Sequence, residues 1–434
     1  MIRMRLLAGT LVVLLGLIGR VQAEDLPRAR PEEVGFDSGR LDYIDQFYAD
    51  KVKHGEMAGI VTLISRHGRV VHLSADGYAD LERKLKMETD TIFRLYSMTK
   101  PITSVALMML YEEGRFQLRD RLSKYIPEFA NLRVLRNPNG PLDETVPLAH
   151  APTVQDAMRH TAGFTHGIET DAFDTQYTQA DVFGLDVTLA EMMSRLAKIP
   201  LRYQPGSKFE YSIGPDIQAR LVEVLSGMPF DVFLEKRLFK PLGMKDAGFS
   251  VPAERANRLA TVYWAKDGKL IPLDKSHGHP SGGVVVQPWS VNSYTVDHKH
   301  KGGSFGLVST AEDYWRFAQM MLNGGQLNGT RILAPQIVKF MTRDHLGTIP
   351  MDEPGERPSG IGWGLGFAVM KDPAEAGYMS SDGSFFWGGA ADTHFWVDPE
   401  EDMVVVAMTQ HMEVPGTQAL EPQLRTLVYS ALIN

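Results

Sequence analysis

Ser97-Met98-Thr99-Lys100 places a hydroxyl and an amine three residues apart. On a helix such residues share a face, with β-carbons about 5–6 Å apart. A serine near its free pKa is a poor nucleophile, and a neighbouring base makes it a good one. A buried amine can be that base, because desolvation disfavours its charged form. The pair points to covalent acyl chemistry that needs no histidine. Taken alone it is weak, since Ser-x-x-Lys turns up by chance about once or twice in a chain this long. Its plain structural reading is a serine N-cap with a solvated lysine one turn on.

Two other stretches offer partners. Pro205-Gly206-Ser207-Lys208-Phe209-Glu210-Tyr211-Ser212 delivers Tyr211 just before a helical pattern. A phenol beside an ammonium ionises more easily and can pass on a proton, although a tyrosine there also fits a core residue with a wet tip. Phe385-Phe386-Trp387-Gly388-Gly389-Ala390-Ala391-Asp392-Thr393 puts two glycines on the approach to a strand. Glycines there permit close backbone contact with a ligand, and the amides could point at an oxyanion. The plain reading is a tight bend around a packed tryptophan.

The elements that must position these residues can be read along the chain. Thr91 to Leu95 is a β-rich lead into Ser97. Pro101 follows at a position tolerated only in a first helical turn. Ile102 to Leu110 is apolar on most faces, the pattern of a buried helix, and Glu112-Glu113-Gly114 ends it. Ser38 to Val52 predicts a helix. Gly59 to Ser65 and Val70 to Ser74 predict a hairpin. Residues 115–245 carry helical patterns (Val154 to Arg159, Thr188 to Ala197, Asp216 to Ser226, Phe230 to Leu238) and little strand pattern. Strands are expected again at Ala260 to Ala265, Gly283 to Gln287, Gly366 to Met370, Thr393 to Val397 and Met403 to Thr409, then a helix from Gln418 to Leu432. The expected class is α+β, with a discontinuous sheet domain (24–114 and 246–434) interrupted by a mostly helical domain (115–245) and the site at their junction.

In this order, Ser-x-x-Lys, Tyr-Ser-x and Trp-Gly-Gly resemble the motifs of the serine β-lactamase and penicillin-binding-protein superfamily. The likeness is strongest to the class C β-lactamase-like esterases (family VIII carboxylesterases). Arg159 to Phe164, Gly303 to Tyr314 and Trp363 to Phe367 look like that family too, and the likeness covers roughly residues 30–430. The resemblance implies a β-lactamase/transpeptidase-like fold, an antiparallel sheet flanked by helices with the helical domain inserted. It implies that Ser97 is the nucleophile, that Lys100 and Tyr211 handle its proton, and that the N–H groups of Ser97 and Ala390 form an oxyanion hole. Trp387, Gly388, Gly389 and Ile213 would contact the substrate.

Two departures from the family pattern bear on specificity. Trp387 stands where lactamases and peptidases of the superfamily usually have Lys or His to bind a substrate carboxylate. Ile213 stands where they usually have Asn. Both changes remove polar recognition, and buried polar groups without partners cost about 1–3 kcal/mol each. The expectation is a serine hydrolase that cleaves neutral esters with short to medium acyl chains through an acyl-enzyme. A β-lactamase, a D-alanyl-D-alanine carboxypeptidase or an acyl transferase of the same fold is the alternative, as is a binding protein that kept the fold without the chemistry. Gly302-Gly303-Ser304-Phe305-Gly306 offers a rival nucleophile, matching the Gly-x-Ser-x-Gly elbow of α/β-hydrolases. That elbow needs a buried strand before it. Val296 to Lys301 is too polar for one, so a glycine-rich loop near the site mouth is expected instead.

Composition bounds the rest. The 434 residues include no cysteine and carry a net charge of −8. Arg3 and Arg5, the apolar run from Leu6 to Ile18 and Val21-Gln22-Ala23 read as a cleavable signal peptide over 1–23. Its removal takes away Arg3, Arg5 and Arg20, shifting the charge from −8 to −11. A periplasmic or secreted location follows, with stability resting on the core rather than on disulfides. An acidic surface without basic runs argues against nucleic acid as a partner, and the apolar run is short for a membrane anchor. The expected partner is a small-molecule ester, with no cofactor and no metal. His277/His279 and His298/His300 sit in polar loops, and no His-Glu-x-x-His occurs.

Overall fold

The computed structural model describes residues 26–167, 171–266, 268–273, 293–349, 351, 359–412 and 420–433. The segment 1–23, the strand expected at 283–287 and the His277/His279 pair lie outside them.

An eight-stranded sheet organises the molecule. Its strands are β1 (Gly59–Arg66), β2 (Arg69–Asp80), β3 (Leu85–Lys86), β4 (Ile361–Trp363), β5 (Ala368–Met370), β6 (Phe385–Gly389), β7 (Thr393–Asp398) and β8 (Met403–Thr409), in the order β4-β5-β6-β7-β8-β1-β2-β3. Every pairing is antiparallel. The central strands come from the two ends of the chain: β1 pairs with β8 from Ile60 opposite Thr409 to Arg66 opposite Met403. Met403 to Thr409 is apolar and buried along its whole length. An antiparallel strand of that kind needs cover on both faces.

Both covers are present. On one face, Ile60, Ile64, Trp396 and Val405 pack with α1 (Ser38–Lys53) and with Leu424 and Val428 of a C-terminal helix, Glu421–Ser430. The α1 helix starts where the Asp37 side chain accepts the Arg40 N–H at 2.9 Å, and Lys51 and Lys53 sit in its last turn. On the other face, Val61, Leu63, Phe395, Val404 and Val406 pack with α2 (Thr99–Glu112) and with a helix at Ala311–Leu322. That second core runs on without a break through residues 115–245. The apolar sides of the helices Val154–Met158, Leu189–Leu196 and α3 (Gly214–Ser226) join it.

The first helix, the strand Gly59–Arg66 and the strands Thr393–Asp398 and Met403–Thr409 lie within a residue of where the sequence placed them, whereas the second hairpin strand, expected from Val70 to Ser74, continues to Asp80. Three differences have physical reasons. Residues 133–135 and 145–147 form a short antiparallel pair inside the helical stretch, and three-residue strands leave no readable period. The helix expected from Phe230 to Leu238 is α-helical only over Phe230–Leu234 and widens to a π-turn at Glu235–Phe239. Trp387-Gly388-Gly389 is itself the end of strand β6 rather than the approach to a strand.

Candidate active site

Ser97 lies in a single 3₁₀ turn, Tyr96–Met98, that runs directly into α2. Tyr96, just before it, has φ 45°, a left-handed value that costs energy in any non-glycine residue. The surroundings hold that turn in place. The Tyr314 hydroxyl donates to the Met98 carbonyl at 3.0 Å, and the Leu95 N–H bonds the Leu307 carbonyl at 2.9 Å. The start of α2 is then sewn to the segment 303–307. Thr103 Oγ1 donates to the Gly303 carbonyl at 2.8 Å, and Thr99 Oγ1 accepts the Leu307 N–H at 3.2 Å.

Lys100 is fully buried, while Ser97 is half-buried and reachable. Lys100 Nζ donates to Ser97 Oγ at 3.0 Å and to the Ser304 carbonyl at 2.9 Å. The same Nζ lies 4.6 Å from the centroid of the Tyr211 ring. Hydroxyl, amine and phenol ring are thus drawn together from two separate elements, the Ser97 turn with α2 and the lead into α3. Tyr211 is held by aromatic neighbours. His160 and His166 lie 4.9 and 5.1 Å from it, ring to ring, and Trp387 Nε1 donates to its hydroxyl at 3.0 Å. Trp363 packs edge-on to Trp387, with centroids 4.6 Å apart.

Strand β6 approaches the Ser97 turn closely. A Cβ on Gly389 would lie 2.3 Å from the Leu95 carbonyl, so a glycine is required there. Trp387, Gly388 and Gly389 are half-buried, and Ala390 is exposed at the tip of the β6–β7 turn. Ile213 differs from expectation. It is fully buried in the core as the residue preceding α3, with its N–H on the Thr165 carbonyl at 3.1 Å, and offers no open surface to a ligand.

Ser304 has no helix behind it, and its hydroxyl is bonded to the buried carboxylate of Asp216. Its loop is buried beneath the site rather than placed at a mouth. His300, expected in a surface loop, is also buried, with Nδ1 on the Val187 carbonyl at 3.2 Å. Burial takes its pKa down to about 4. Among the described residues no group of three or more His, Asp or Glu is placed to hold a metal ion.

A family model described as Beta-lactamase matches residues 44–429. The chain belongs to the beta-lactamase family. Its relatives include Protein Rv1367c of Mycobacterium tuberculosis, 33% identical over 82% of this chain and 86% of that one. Esterase EstB of Burkholderia gladioli is 29% identical over 89% of this chain and 94% of its own. Among solved structures, EstCE1, described as a hydrolase with promiscuous acyltransferase activity, matches with a TM-score of 0.76 and 26% identity. That match covers 90% of this chain and 99% of the other. The beta-lactamase-family chain is accordingly a serine hydrolase of the superfamily that also holds the penicillin-binding proteins.

Two further residues around Tyr211 are given no role by the sequence, although His160 falls in the family-like stretch Arg159 to Phe164. His160 accepts the Ser212 N–H on Nδ1 at 3.0 Å, fixing the residue next to Tyr211. Both His166 nitrogens are buried without a hydrogen-bond partner among the described residues. Burial, aided by the Lys100 charge, holds that imidazole well below its usual pKa, hence neutral. A histidine within Arg159 to Gly167 reads as one polar residue among others until the fold stacks it on Tyr211.

Proposed function

We propose that this protein is a serine carboxylesterase acting on neutral esters with short to medium acyl chains. The observation that carries the reading is the 3.0 Å contact between Lys100 Nζ and Ser97 Oγ, with the amine buried and the hydroxyl reachable. Ser97 Oγ attacks the acyl carbon and gives its proton to the Lys100–Tyr211 pair. The oxyanion is met by the N–H groups of Ser97 and Ala390; such a donor lowers the barrier by about 2.7–4 kcal/mol. The pair returns the proton to the departing alkoxide, the alcohol leaves, and water attacks the acyl-enzyme by the same route, releasing the acid and free Ser97.

Ester rather than lactam chemistry is favoured by Trp387. Where a cation would meet a substrate carboxylate, the indole N–H is turned to the Tyr211 hydroxyl instead. The likeness to Esterase EstB over 89% of this chain supports the same reading. Transfer of the acyl group to an alcohol in place of water is the second reading, since EstCE1 is described as having promiscuous acyltransferase activity and only the acceptor differs. The proposal includes a periplasmic or secreted location, which the signal-like residue pattern of 1–23 supports.

The test compares p-nitrophenyl butyrate with nitrocefin, and the wild type with Ser97→Ala. The ester should have the larger kcat/KM by at least about tenfold, and Ser97→Ala should abolish both turnover and covalent labelling by a fluorophosphonate. A larger kcat/KM for nitrocefin, or labelling that survives Ser97→Ala, would overturn the assignment.

A further inference from the structure

Lys100 is held on its far side by a backbone carbonyl, and that carbonyl belongs to a residue tied to a buried acid. Asp216 stands in the first turn of α3, is fully buried, and accepts the Ser304 N–H at 3.2 Å and the Ser304 hydroxyl. The Gly303 amide also favours the charged form of the same carboxylate. Ser304 in turn offers its carbonyl to Lys100 Nζ at 2.9 Å. The loop has no slack: a Cβ on Gly303 would lie 2.3 Å from the Pro215 carbonyl, and one on Gly302 would lie 3.1 Å from Asp216 Oδ1.

We infer that Asp216 and Ser304 act as a buried positioning pair, which sets Lys100 against Ser97 without touching the substrate. Resting on the esterase reading, this gives Gly302-Gly303-Ser304-Phe305-Gly306 a part in the reaction other than that of a nucleophile elbow. A buried carboxylate is costly unless it is bonded and balanced. Here the N–H and the hydroxyl of Ser304 bond it, the Gly303 amide also favours its charged form, and the carbonyl of the same Ser304 holds Lys100. An ionised carboxylate has an oxygen for each of the two bonds. The neutral amide of an asparagine has one oxygen and would turn an N–H toward one of those donors, so the loop and its carbonyl would shift. A displacement of 1 Å at a reacting group can cost about a hundredfold in rate.

Burial takes the Asp216 carboxyl up to about 6, against the lowering effects of Ser304, Lys100 and Gly303. Among the described residues the charged group facing it is Lys100 from α2, and the neutral His300 ring lies across Gly302 from it. Protonation below about pH 6 would remove the acceptor that holds Ser304.

The test measures ester kcat, KM and the pH profile for Asp216→Asn, Ser304→Ala and the double variant, with thermal unfolding as the control for folding and Ser97→Ala as the control for the site. Asp216→Asn should lower kcat by about 10- to 100-fold, leave KM within about threefold and displace the acidic limb of the profile. Ser304→Ala keeps the carbonyl and should lose less, and the double variant should be no worse than Asp216→Asn. A folded Asp216→Asn with wild-type kcat and pH profile would overturn the inference, as would losses that add. Should Asp216→Asn not fold, Ser304→Ala decides: a kcat loss with a displaced acidic limb supports the pair, and wild-type kinetics refute it. Activity surviving in Ser97→Ala is a different failure, that of the esterase reading itself.

Discussion

Under the proposed mechanism, substrate recognition and the proton relay meet at Trp387. Its indole N–H is the observed donor to the Tyr211 hydroxyl, and one neutral hydrogen bond is worth about 1 kcal/mol, or fivefold in rate. Trp387→Phe keeps a ring and removes that donor. Its kcat on a p-nitrophenyl ester should fall about fivefold, measured under saturating substrate, and an unchanged kcat would show that the phenol does not depend on the indole. At this scale the sequence was informative where a residue type is chemically rare in its setting. Ser97, Lys100 and Tyr211 could be named because a serine, an amine and a phenol in family order have few other reasons to coincide. Asp216, Ser304, His160 and His166 could not, because their meaning lies in burial and in partners far along the chain. Ser304 was legible as part of a glycine-rich loop near the site, without a role for its hydroxyl. Ile213 was misplaced for the same reason: a motif position fixes the backbone, and here that backbone turns the side chain into the core.

Among the elements, β6 approaches the Ser97 turn with no room for a side chain between them. A methyl group on Gly389 would meet both the Leu95 carbonyl and Thr393 Oγ1 at 2.3 Å. Gly389→Ala should therefore push the strand from the turn, costing about 1–3 kcal/mol of stability and at least about tenfold in kcat. Calorimetry and steady-state kinetics on the same preparation would check both, and a variant that kept full activity would mean that the oxyanion donors lie elsewhere. Elements were legible in proportion to their length. The α1 helix, the β1–β2 hairpin and β8 each hold an apolar pattern over seven residues or more. The pair at 133–135 and 145–147 does not, and glycines hid β6, whose last residues were read as an approach.

Across the whole molecule, the C-terminal helix is tied to the sheet by a buried chain of alternating charge. Asp392 bonds His394, His394 lies 3.3 Å from Glu421, and Glu421 bonds the fully buried Arg425 at 2.7 Å. Burial opposes the His394 charge, yet Asp392 and then Glu421 outweigh it and raise its pKa to about 10. The stability this adds is complete below about pH 6.5, the free value, and is lost as pH rises through about 10. Glu421 runs the other way. Burial raises it, Arg425 and His394 lower it further to about 2, and its contribution, present above about 4.3, disappears as pH falls through about 2. Melting temperature should decline from pH 7 to 10.5 in the wild type and hold level there in His394→Gln, and parallel curves would refute the assignment. His394→Ala, which leaves two carboxylates facing each other, should cost about 3–5 kcal/mol.

Trp387 also packs against both hydrophobic cores, the one under α2 and the one under α1. Evolution cannot then retune its chemistry in isolation. A lineage that exchanged this indole for a lysine to welcome anionic rings would loosen the seam between two halves of its own interior, so compensating mutations far from the cleft would have to arrive first.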